Sequence, residues 1–176
     1  MNLQSKVKKL ADKEFASTRK IRRHLHQYPE LSYQEKETGK YIAATLKSLG
    51  IKYKTGWAEN GIVAIIQGKK SNKRVIALRA DIDALPITEA NKVAYKSKHK
   101  GVMHACGHDV HTASLLGTAK ILNELKDDFG GTLKLIFQPA EEKLPGGASI
   151  LIKEGVLKNP KPISICLLYT SPSPRD

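Results

Sequence analysis

The stretch Arg74-Val-Ile-Ala-Leu-Arg-Ala-Asp81-Ile-Asp83-Ala-Leu-Pro86 decides the fold class of this 176-residue chain. Its apolar residues from Val75 to Leu78 form a continuous run of the kind found in a strand that is covered on both faces. A second run, from Leu133 to Phe137, has the same character and is followed by Glu141 and Glu142. We therefore predict two buried core strands, each with paired acids near its carboxyl end.

Helical patterns precede these strands. Residues 3–27 repeat apolar positions at approximately helical spacing, and Pro29 ends that segment. Ser32 and Glu35 have the spacing of a capping box, in which each side chain satisfies a free backbone amide at the start of a second helix. Gly50 lies where that helix would end in a left-handed cap. Two helices are therefore expected before the sheet.

The rest of the chain alternates between segments with the residue pattern of a strand and segments with that of a helix. Residues 51–55 and 62–67 are short β-type runs around a turn sequence, so they form either a hairpin or successive strands. Asp109 can cap a helix that continues to Leu125, and another helix is expected from about Gly147 to Glu154. This alternation predicts an α/β fold with a largely parallel open sheet flanked by helices.

The densest group of metal-binding or proton-transferring side chains lies between the two core strands. Five such residues fall within eight positions of the segment from Val102 to Thr112: His104, Cys106, His108, Asp109 and His111. Imidazole and thiolate groups are the ligands that zinc and similar divalent ions prefer. Because alternate residues of a turning segment can point toward one ion, the spacing favours a metal site over a buried free cysteine beside surface histidines.

The paired acids indicate where such a site would lie. In open α/β sheets, functional groups gather at the carboxyl ends of strands, and the cluster connects two strands that are followed by acids. We interpret Asp83 as an ordinary loop acid, whereas adjacent Glu141 and Glu142 repel each other unless a cation or a shared proton relieves them. One glutamate would bind metal, and its neighbour would accept a proton from an activated water.

Composition narrows the class of protein. Thirty Lys and Arg against seventeen Asp and Glu give a net charge of +13, but the lysines are spread and lack the interleaved aromatic residues of a nucleic-acid platform. No apolar run approaches the roughly 20 residues of a membrane span, and the N-terminus has no signal-peptide core. With two cysteines, no disulfide framework is predicted. We expect a cytoplasmic protein without a nucleic-acid or membrane partner.

Four motifs together resemble one known family. They are, in chain order, Arg22-Arg-His-Leu-His-Gln-Tyr-Pro-Glu-Leu-Ser32, Arg79-Ala-Asp-Ile-Asp-Ala-Leu-Pro86, Met103-His-Ala-Cys-Gly-His-Asp109 and Phe137-Gln-Pro-Ala-Glu-Glu142. Their types and order resemble the M20 metallopeptidases, specifically the amidohydrolase branch that acts on N-acyl amino acids, hippurate, auxin conjugates and N-acetyldiaminopimelate. The likeness covers about residues 15 to 160.

The resemblance implies a site with two divalent metal ions, zinc or manganese. Transferred by position, Cys106 would bridge the ions, His108 would bind one of them and Glu142 the other. Glu141 would be the general base. Asp81 would orient a ligand or act as an accessory catalytic acid. The implied reaction is hydrolysis of an N-acyl amino acid or a similar amide.

The resemblance also bears on domain organisation. It assigns residues 1–165 to the N-terminal part of a catalytic domain, and it implies a second, smaller domain that closes over substrate and forms a homodimer. Two further ligand histidines of the family would come after Pro162, so we expect this chain to be inactive alone. Residues 166–176 do not continue the family pattern, and we interpret them, including Cys166, as a non-native tail.

Two other functions compete with the amidohydrolase. The chain could be a non-catalytic metal-binding or basic interaction module, which would bind metal without hydrolysing an amide. It could also be a thiol hydrolase that uses Cys106 and His108. That third function is disfavoured because no separate group that would orient the histidine is evident in the sequence, and because a metal would occupy the thiolate.

Overall fold

Within residues 2–167, which the computed structural model describes, the chain forms four helices and a five-stranded sheet. The elements in chain order are α1 (Leu3–Gln27), α2 (Lys36–Ser48), β1 (Lys52–Trp57), β2 (Gly61–Gln67), β3 (Lys70–Asp81), α3 (His108–Glu124), β4 (Gly130–Gln138), α4 (Gly147–Lys153) and β5 (Ser164–Leu167). No helix in this part of the chain combines the length and apolar character needed to cross a membrane.

The sheet is mixed, with the strand order β1-β2-β4-β3-β5. β3 runs parallel to both β4 and β5, whereas β2 runs antiparallel to β1 and β4. β1 and β2 form a hairpin around the predicted turn at residues 59–61. The α/β class and the open sheet with flanking helices are therefore confirmed. The parallel arrangement holds for β3, β4 and β5, and the hairpin supplies the antiparallel part.

The inner parts of β3 and β4, residues 75–78 and 133–137, are mainly apolar because helices cover both faces of the sheet there. Leu135 and Phe137 of β4 pack with buried side chains of α2 and α3 on one face. Ile136, which points the other way, packs with Ala77 of β3 and Leu151 of α4. Alternate residues of a strand point to opposite faces. A continuous apolar run is therefore what a strand between two helical layers requires.

Most of the predicted helix boundaries are confirmed. α1 covers residues 3–27. Gly50, after α2, has a φ of +66°, and Gly155, after α4, has a φ of +88°. Both glycines therefore adopt the left-handed conformation that a residue without Cβ tolerates.

The predicted capping box of α2 is wrong. The Ser32 hydroxyl donates a hydrogen bond to Asp83 at 2.7 Å, and Glu35 makes no capping hydrogen bond to α2. The Glu30 carboxylate instead accepts from two backbone N–H groups in the first turn of α2, at 3.1 and 2.7 Å. Ser32 and Glu35 have other partners because both are buried near the strand ends. A buried polar side chain is costly unless it is hydrogen-bonded, and this cost outweighs the gain from capping a helix.

The predicted cap of α3 is also wrong. Gly107, with a φ of +94°, is the N-cap, and the helix begins one residue later. Asp109 lies inside the first turn, where it is buried. Its Oδ2 accepts from His26 at 2.7 Å, and its Oδ1 accepts from the backbone N–H of Val110 at 2.9 Å, so it bonds to the first turn without being the N-cap.

β5 is the last element that the structure describes. It pairs in parallel with β3, and Cys166 is exposed on it. The division of the chain at residue 165 stays a prediction. Residues 168–176, most of the proposed tail, lie outside the described residues.

The packing of β4 generates a stability prediction. Leu135 is fully buried in the central strand, so Leu135→Ala should lower the free energy of unfolding by about 2–5 kcal/mol through lost burial and a residual cavity. Leu144→Ala is the matched control, because that side chain is 89% exposed. It should change the free energy by less than about 0.5 kcal/mol. Equal effects of the two variants in denaturant unfolding would contradict the described core.

Candidate metal centre

Three segments of the chain converge at one edge of the sheet. β3 and β4 run parallel, with Asp81 paired to Gln138, so their carboxyl ends lie side by side. Asp83 follows the first strand and Glu141 and Glu142 follow the second. The N-terminus of α3 brings His108 to the same place. This confirms the convergence that the order of strands and acids predicts.

The Asp83 carboxylate connects these segments. Asp83 is fully buried. Its Oδ2 accepts from the Ser32 hydroxyl at 2.7 Å and from the backbone N–H of Glu142 at 2.9 Å, and its Oδ1 lies 3.2 Å from Nδ1 of His108. Burial by itself would raise the pKa of Asp83, but the hydrogen bonds from His108, Glu142 and Ser32 outweigh it and lower the pKa. The group is therefore a buried carboxylate with its charge satisfied on three sides.

His108 is oriented by the same contact. Its Nδ1 lies 3.0 Å from the backbone carbonyl of Asp83 as well as near the Asp83 carboxylate. Both partners accept hydrogen bonds, so the proton belongs on Nδ1 and Nε2 is left facing the site. Burial would lower the pKa of His108, but the hydrogen bond and charge of Asp83 raise it overall.

The three predicted metal ligands come together near Nε2 of His108. Ligand atoms of Cys106, His108 and Glu142 all lie within 4.8 Å of one another. Nε2 of His108 is 3.9 Å from Oε1 of Glu142. That oxygen is buried and has no hydrogen-bond partner among residues 2–167. A buried carboxylate oxygen without a donor is well suited to bind a cation, and together with the thiol and imidazole these residues fit a metal ion.

The Cys106 thiol has an environment suited to a ligand rather than a free nucleophile. The Cys106 residue is exposed at the surface, but partial desolvation of its sulfur raises the pKa to about 11, and the carboxylates of Glu142 and Glu141 act in the same direction. A thiol with so high a pKa is almost entirely protonated at neutral pH, whereas a coordinated thiol loses its proton. Asp83 does supply a group that orients His108, so that objection to the thiol hydrolase is wrong. The raised pKa of the Cys106 thiol is what argues against it.

Glu141 lies on the solvent-exposed side of the Cys106-His108-Glu142 group. Its Oε2 is 4.0 Å from Nε2 of His108, and its side chain is 41% exposed. Burial, followed by the charge of Glu142, raises the pKa of Glu141. A carboxylate with a raised pKa is a stronger proton acceptor, and partial exposure leaves it accessible to a water or a substrate.

Asp81 belongs to a second group at the same edge. Its ligand atom lies within 4.8 Å of those of His108 and His111. The Asp81 carboxylate also accepts two hydrogen bonds from Arg79, at 3.0 and 2.7 Å. The hydrogen bond to Nδ1 of His108 comes from Asp83, so the contact that orients this histidine lies two residues beyond Asp81.

The other two residues of the sequence cluster, Asp109 and His104, belong to neither group of possible metal ligands. Asp109 pairs with His26 and Arg22, at 2.7 and 2.8 Å, and Nε2 of His26 reaches Glu89 at 3.1 Å. His104 is buried, with neither ring nitrogen bonded to a partner within the described range. Burial lowers its pKa to about 4, so His104 is neutral.

The residues that support the ligands are not identified by local sequence patterns. The prediction of Asp83 as an ordinary loop acid is wrong, and its spacing of two from Asp81 is the one signal that both belong to the same segment. Ser32 and His26 lie inside a motif quoted for the family resemblance, yet no pattern in the sequence specifies their partners, which are 51 and 83 residues away. Only the folded chain reveals such contacts.

The fold and this site define a class: an α/β protein that presents a Cys-His-Glu group, suited to a metal ion, at the carboxyl edge of two parallel strands. The profile described as Peptidase family M20/M25/M40 matches residues 77–175. The chain belongs to this family.

Similar proteins agree with that assignment. The chain is 46% identical over 151 residues to the N-acyl-L-amino acid amidohydrolase of Geobacillus stearothermophilus, covering 86% of this chain and 40% of the relative. It is 54% identical over 137 residues to the N-acetyl-L-cysteine deacetylase of Bacillus subtilis (strain 168), covering 78% and 32%. The crystal structure of the Bacillus subtilis YXEP protein, described as a dinuclear metal binding peptidase from the M20 family, has a TM-score of 0.83 at 43% identity, covering 90% and 44%. The chain thus spans less than half the length of these relatives.

The ion pairs around His26 generate a pH prediction. The hydrogen bond to Asp109 raises the pKa of His26, burial opposes this effect and the bond to Glu89 supports it. Because the pKa of His26 is higher in the folded state, its protonation stabilises the fold. This contribution is fully present below the unfolded-state pKa of about 6.5 and is lost as the pH rises through the folded-state pKa. The loss of unfolding free energy caused by His26→Gln should therefore be largest near pH 6 and decrease toward pH 9.

His24 is a control, because its contribution to the unfolding free energy should change with pH in the opposite direction. Burial, assisted by the charge of Lys98, lowers the pKa of His24. The contribution of neutral His24 to the unfolding free energy is present above the unfolded-state pKa of about 6.5. It is lost as the pH falls through the folded-state pKa. The effect of His24→Gln should therefore grow with pH. Urea unfolding of both variants from pH 5.5 to 9 checks these trends, and an effect of His26→Gln that does not change with pH would contradict the first.

Proposed function

We propose that this chain is part of a metal-dependent amidohydrolase that removes the acyl group from an N-acyl amino acid or a similar amide. The observation that carries the proposal is the group formed by Cys106, His108 and Glu142, with a buried Glu142 oxygen that lacks a hydrogen-bond donor among the described residues. The relatives named for N-acyl-L-amino acids and for N-acetyl-L-cysteine support the substrate class.

Cys106, His108 and Glu142 would hold the metal. The donor set of thiolate, imidazole and carboxylate suits zinc, and manganese is the second candidate that the family resemblance offers. We infer two ions because the YXEP protein is described as dinuclear, and Cys106 would be the ligand that the family resemblance assigns to both. A bound divalent ion supplies Lewis acidity, which lowers the pKa of water and polarises an amide carbonyl.

Glu141 would act as the general base. Its exposed carboxylate can accept a proton from the attacking water as the water oxygen bonds to the amide carbon. When the carbon–nitrogen bond breaks, Glu141 returns that proton to the leaving nitrogen. The products are a carboxylic acid and the free amine of the amino acid, and the glutamate ends in its starting state.

Asp83 and Asp81 would have different roles. Asp83 would keep His108 in the tautomer with a free Nε2, through the hydrogen bond at Nδ1. Asp81, close to His108 and His111, would serve as the accessory catalytic acid or ligand-orienting group that its position implies. We therefore assign Asp83 to the orientation of His108 and keep the accessory role for Asp81.

The complete activity belongs to a longer protein. The matched relatives are more than twice as long as this chain. We propose that residues 1–165 form the first part of the catalytic domain and that the missing part supplies two more histidine ligands and a lid domain, which mediates homodimer formation. We also propose a cytoplasmic location and a small-molecule substrate. We keep residues 166–176 as a proposed non-native tail, although the family profile extends to residue 175 and β5 includes residues 166 and 167.

A non-catalytic metal-binding module is the second candidate. It is favoured by the limited share of the relatives that the chain spans, since three ligands can bind an ion without completing a catalytic site. The two candidates differ in one outcome. Only the amidohydrolase couples metal binding to amide hydrolysis when the rest of a family member is supplied.

The proposed ligands generate a binding prediction. Cys106→Ser should weaken Zn²⁺ binding to the 176-residue chain by at least about tenfold, because a hydroxyl is a much poorer zinc ligand than a thiolate. Competition with a chromophoric chelator measures this affinity. Cys166→Ser is the matched control and should leave the affinity unchanged. A similar loss in both variants, or in neither, would refute the assignment of Cys106.

The proposed base generates a kinetic prediction. A chimera in which residues 1–165 replace the matching part of the Bacillus subtilis YXEP protein should hydrolyse N-acetyl-L-amino acids when loaded with Zn²⁺ or Mn²⁺. Glu141→Gln in this chimera should lower kcat by about 10²–10⁴-fold, since general base catalysis is lost, and KM should change little. Product formation is followed by assay of the released amine.

Glu124→Gln is the control for that chimera, because Glu124 is exposed on α3 and lies outside the site. It should keep full activity. A Glu141→Gln variant that hydrolyses at the normal rate would remove Glu141 from the mechanism. A chimera that binds metal and hydrolyses none of the amides would support the non-catalytic module instead.

A further inference from the structure

A second buried carboxylate, Glu35, lies behind the loop that carries Glu141 and Glu142. Glu35 is fully buried at the start of α2. Its Oε1 accepts from the backbone N–H of Ala140 at 2.8 Å, and its Oε2 accepts from the side-chain amide of Asn60 at 3.1 Å. The residue thus connects α2, the β1–β2 turn and the acid-bearing loop.

Capping of α2 does not explain this carboxylate. Glu35 makes no side-chain capping bond, and Glu30 already accepts from two amides in the first turn. Burial raises the pKa of Glu35, and its hydrogen bonds lower it only in part. A buried carboxylate that accepts a hydrogen bond from the backbone of another segment is a candidate for a role at that segment.

Ala140 is the residue whose conformation needs support. It has a φ of +52°, in the left-handed region that residues with a Cβ seldom adopt. Its N–H is held by Glu35, and its carbonyl accepts from the N–H of Gly147 at 2.8 Å. Two residues further on, the N–H of Glu142 is held by Asp83 at 2.9 Å. Buried carboxylates therefore fix the backbone on both sides of Glu141.

The loop has little space in which to relax. A Cβ at Gly147 would lie 1.8 Å from the carbonyl oxygen of Pro139, so the chain passes over itself at this point. The positive φ of Ala140 turns the backbone immediately before the two glutamates. If its N–H were released, the strained residue would have a reason to return to the β or right-handed region. The side chains of Glu141 and Glu142 would then turn with it.

We propose that Glu35 is a positioning residue that holds Ala140 in the left-handed conformation and thereby aims Glu141 and Glu142 at Cys106 and His108. The metal-binding consequence rests on the proposed function, whereas the effect on Ala140 does not. Glu35 acts through the backbone and touches neither the ligands nor a substrate.

The test compares variants of Glu35 that differ in side-chain length and in charge. Glu35→Asp keeps the charge but is one methylene too short to hold Ala140. Glu35→Gln keeps the length and an acceptor oxygen, and the Asn60 amide can turn to present its own oxygen. Glu30→Gln is the matched control, because Glu30 is a neighbouring carboxylate that bonds to α2 and makes no bond to the acid loop.

Two readouts are made on the 176-residue chain. The first is Co²⁺ affinity together with the thiolate-to-cobalt charge-transfer band. The second is hydrogen exchange of the Ala140 amide, measured by NMR without metal. Glu35→Asp should weaken Co²⁺ binding by at least about tenfold, alter the band and speed exchange at Ala140 by at least about tenfold. Glu35→Gln should stay within about threefold of wild type in both. Glu30→Gln should lower only the melting temperature.

Ala140→Gly tests the conformational part directly. Glycine adopts positive φ without the Cβ penalty, so Ala140→Gly in the Glu35→Asp background should restore Co²⁺ affinity to within about threefold of wild type. If Glu35→Asp fails to fold, this double variant is compared with Ala140→Gly alone, and exchange at residue 140 should still be faster in the double variant.

Each failure has its own signature. A Glu35→Asp variant with the Co²⁺ affinity, spectrum and Ala140 exchange of wild type would overturn the inference, and so would one that resembles Glu30→Gln. Wild-type chain that binds no Co²⁺ would count against the proposed function. In that case exchange at Ala140 in metal-free Glu35→Asp would still decide whether Glu35 holds the loop.

Discussion

The hydrogen bonds of the Asp83 carboxylate are the interaction on which the site depends. This buried group accepts from Ser32 before α2, from the Glu142 backbone after β4 and from His108 at the start of α3. Segments that are far apart in sequence are thereby fixed against the end of one strand. The cost of burying the charge is offset because both carboxylate oxygens have hydrogen-bond donors. The same contacts leave Nε2 of His108 and Oε1 of Glu142 directed at a shared space.

Most of the fold could be predicted from local patterns. The helical period of residues 3–27, the glycine after α2 and the two apolar runs correspond to observed elements. Strand order could not be read in the same way, because the pairing of β2 with β4 depends on contacts about 70 residues apart. Lys134 shows the same limit. It is buried inside β4 because its ammonium donates to two carbonyls of the turn after α4, at 2.6 and 2.8 Å.

The metal ligands could be predicted from the sequence because they are recognised by residue type and spacing. Cys106, His108 and Glu142 are unusual donors near strand ends, and the structure brings them together as the sequence suggests. Ser32 and Glu35 show why the supporting residues were missed. Their spacing predicts a capping box, but the same two side chains bond to Asp83 and Ala140 once they are buried. Local spacing cannot distinguish these outcomes, since the partner is chosen by tertiary packing.

Zinc-edge X-ray absorption of the zinc-loaded chain tests the central claim most directly. The account predicts one sulfur neighbour at about 2.3 Å together with nitrogen and oxygen neighbours at about 2.0–2.2 Å. The sulfur signal should disappear in Cys106→Ser and persist in Cys166→Ser. A shell of nitrogen and oxygen alone, or a sulfur that disappears only with Cys166, would contradict the claim that the fold assembles Cys106, His108 and Glu142 into a metal centre.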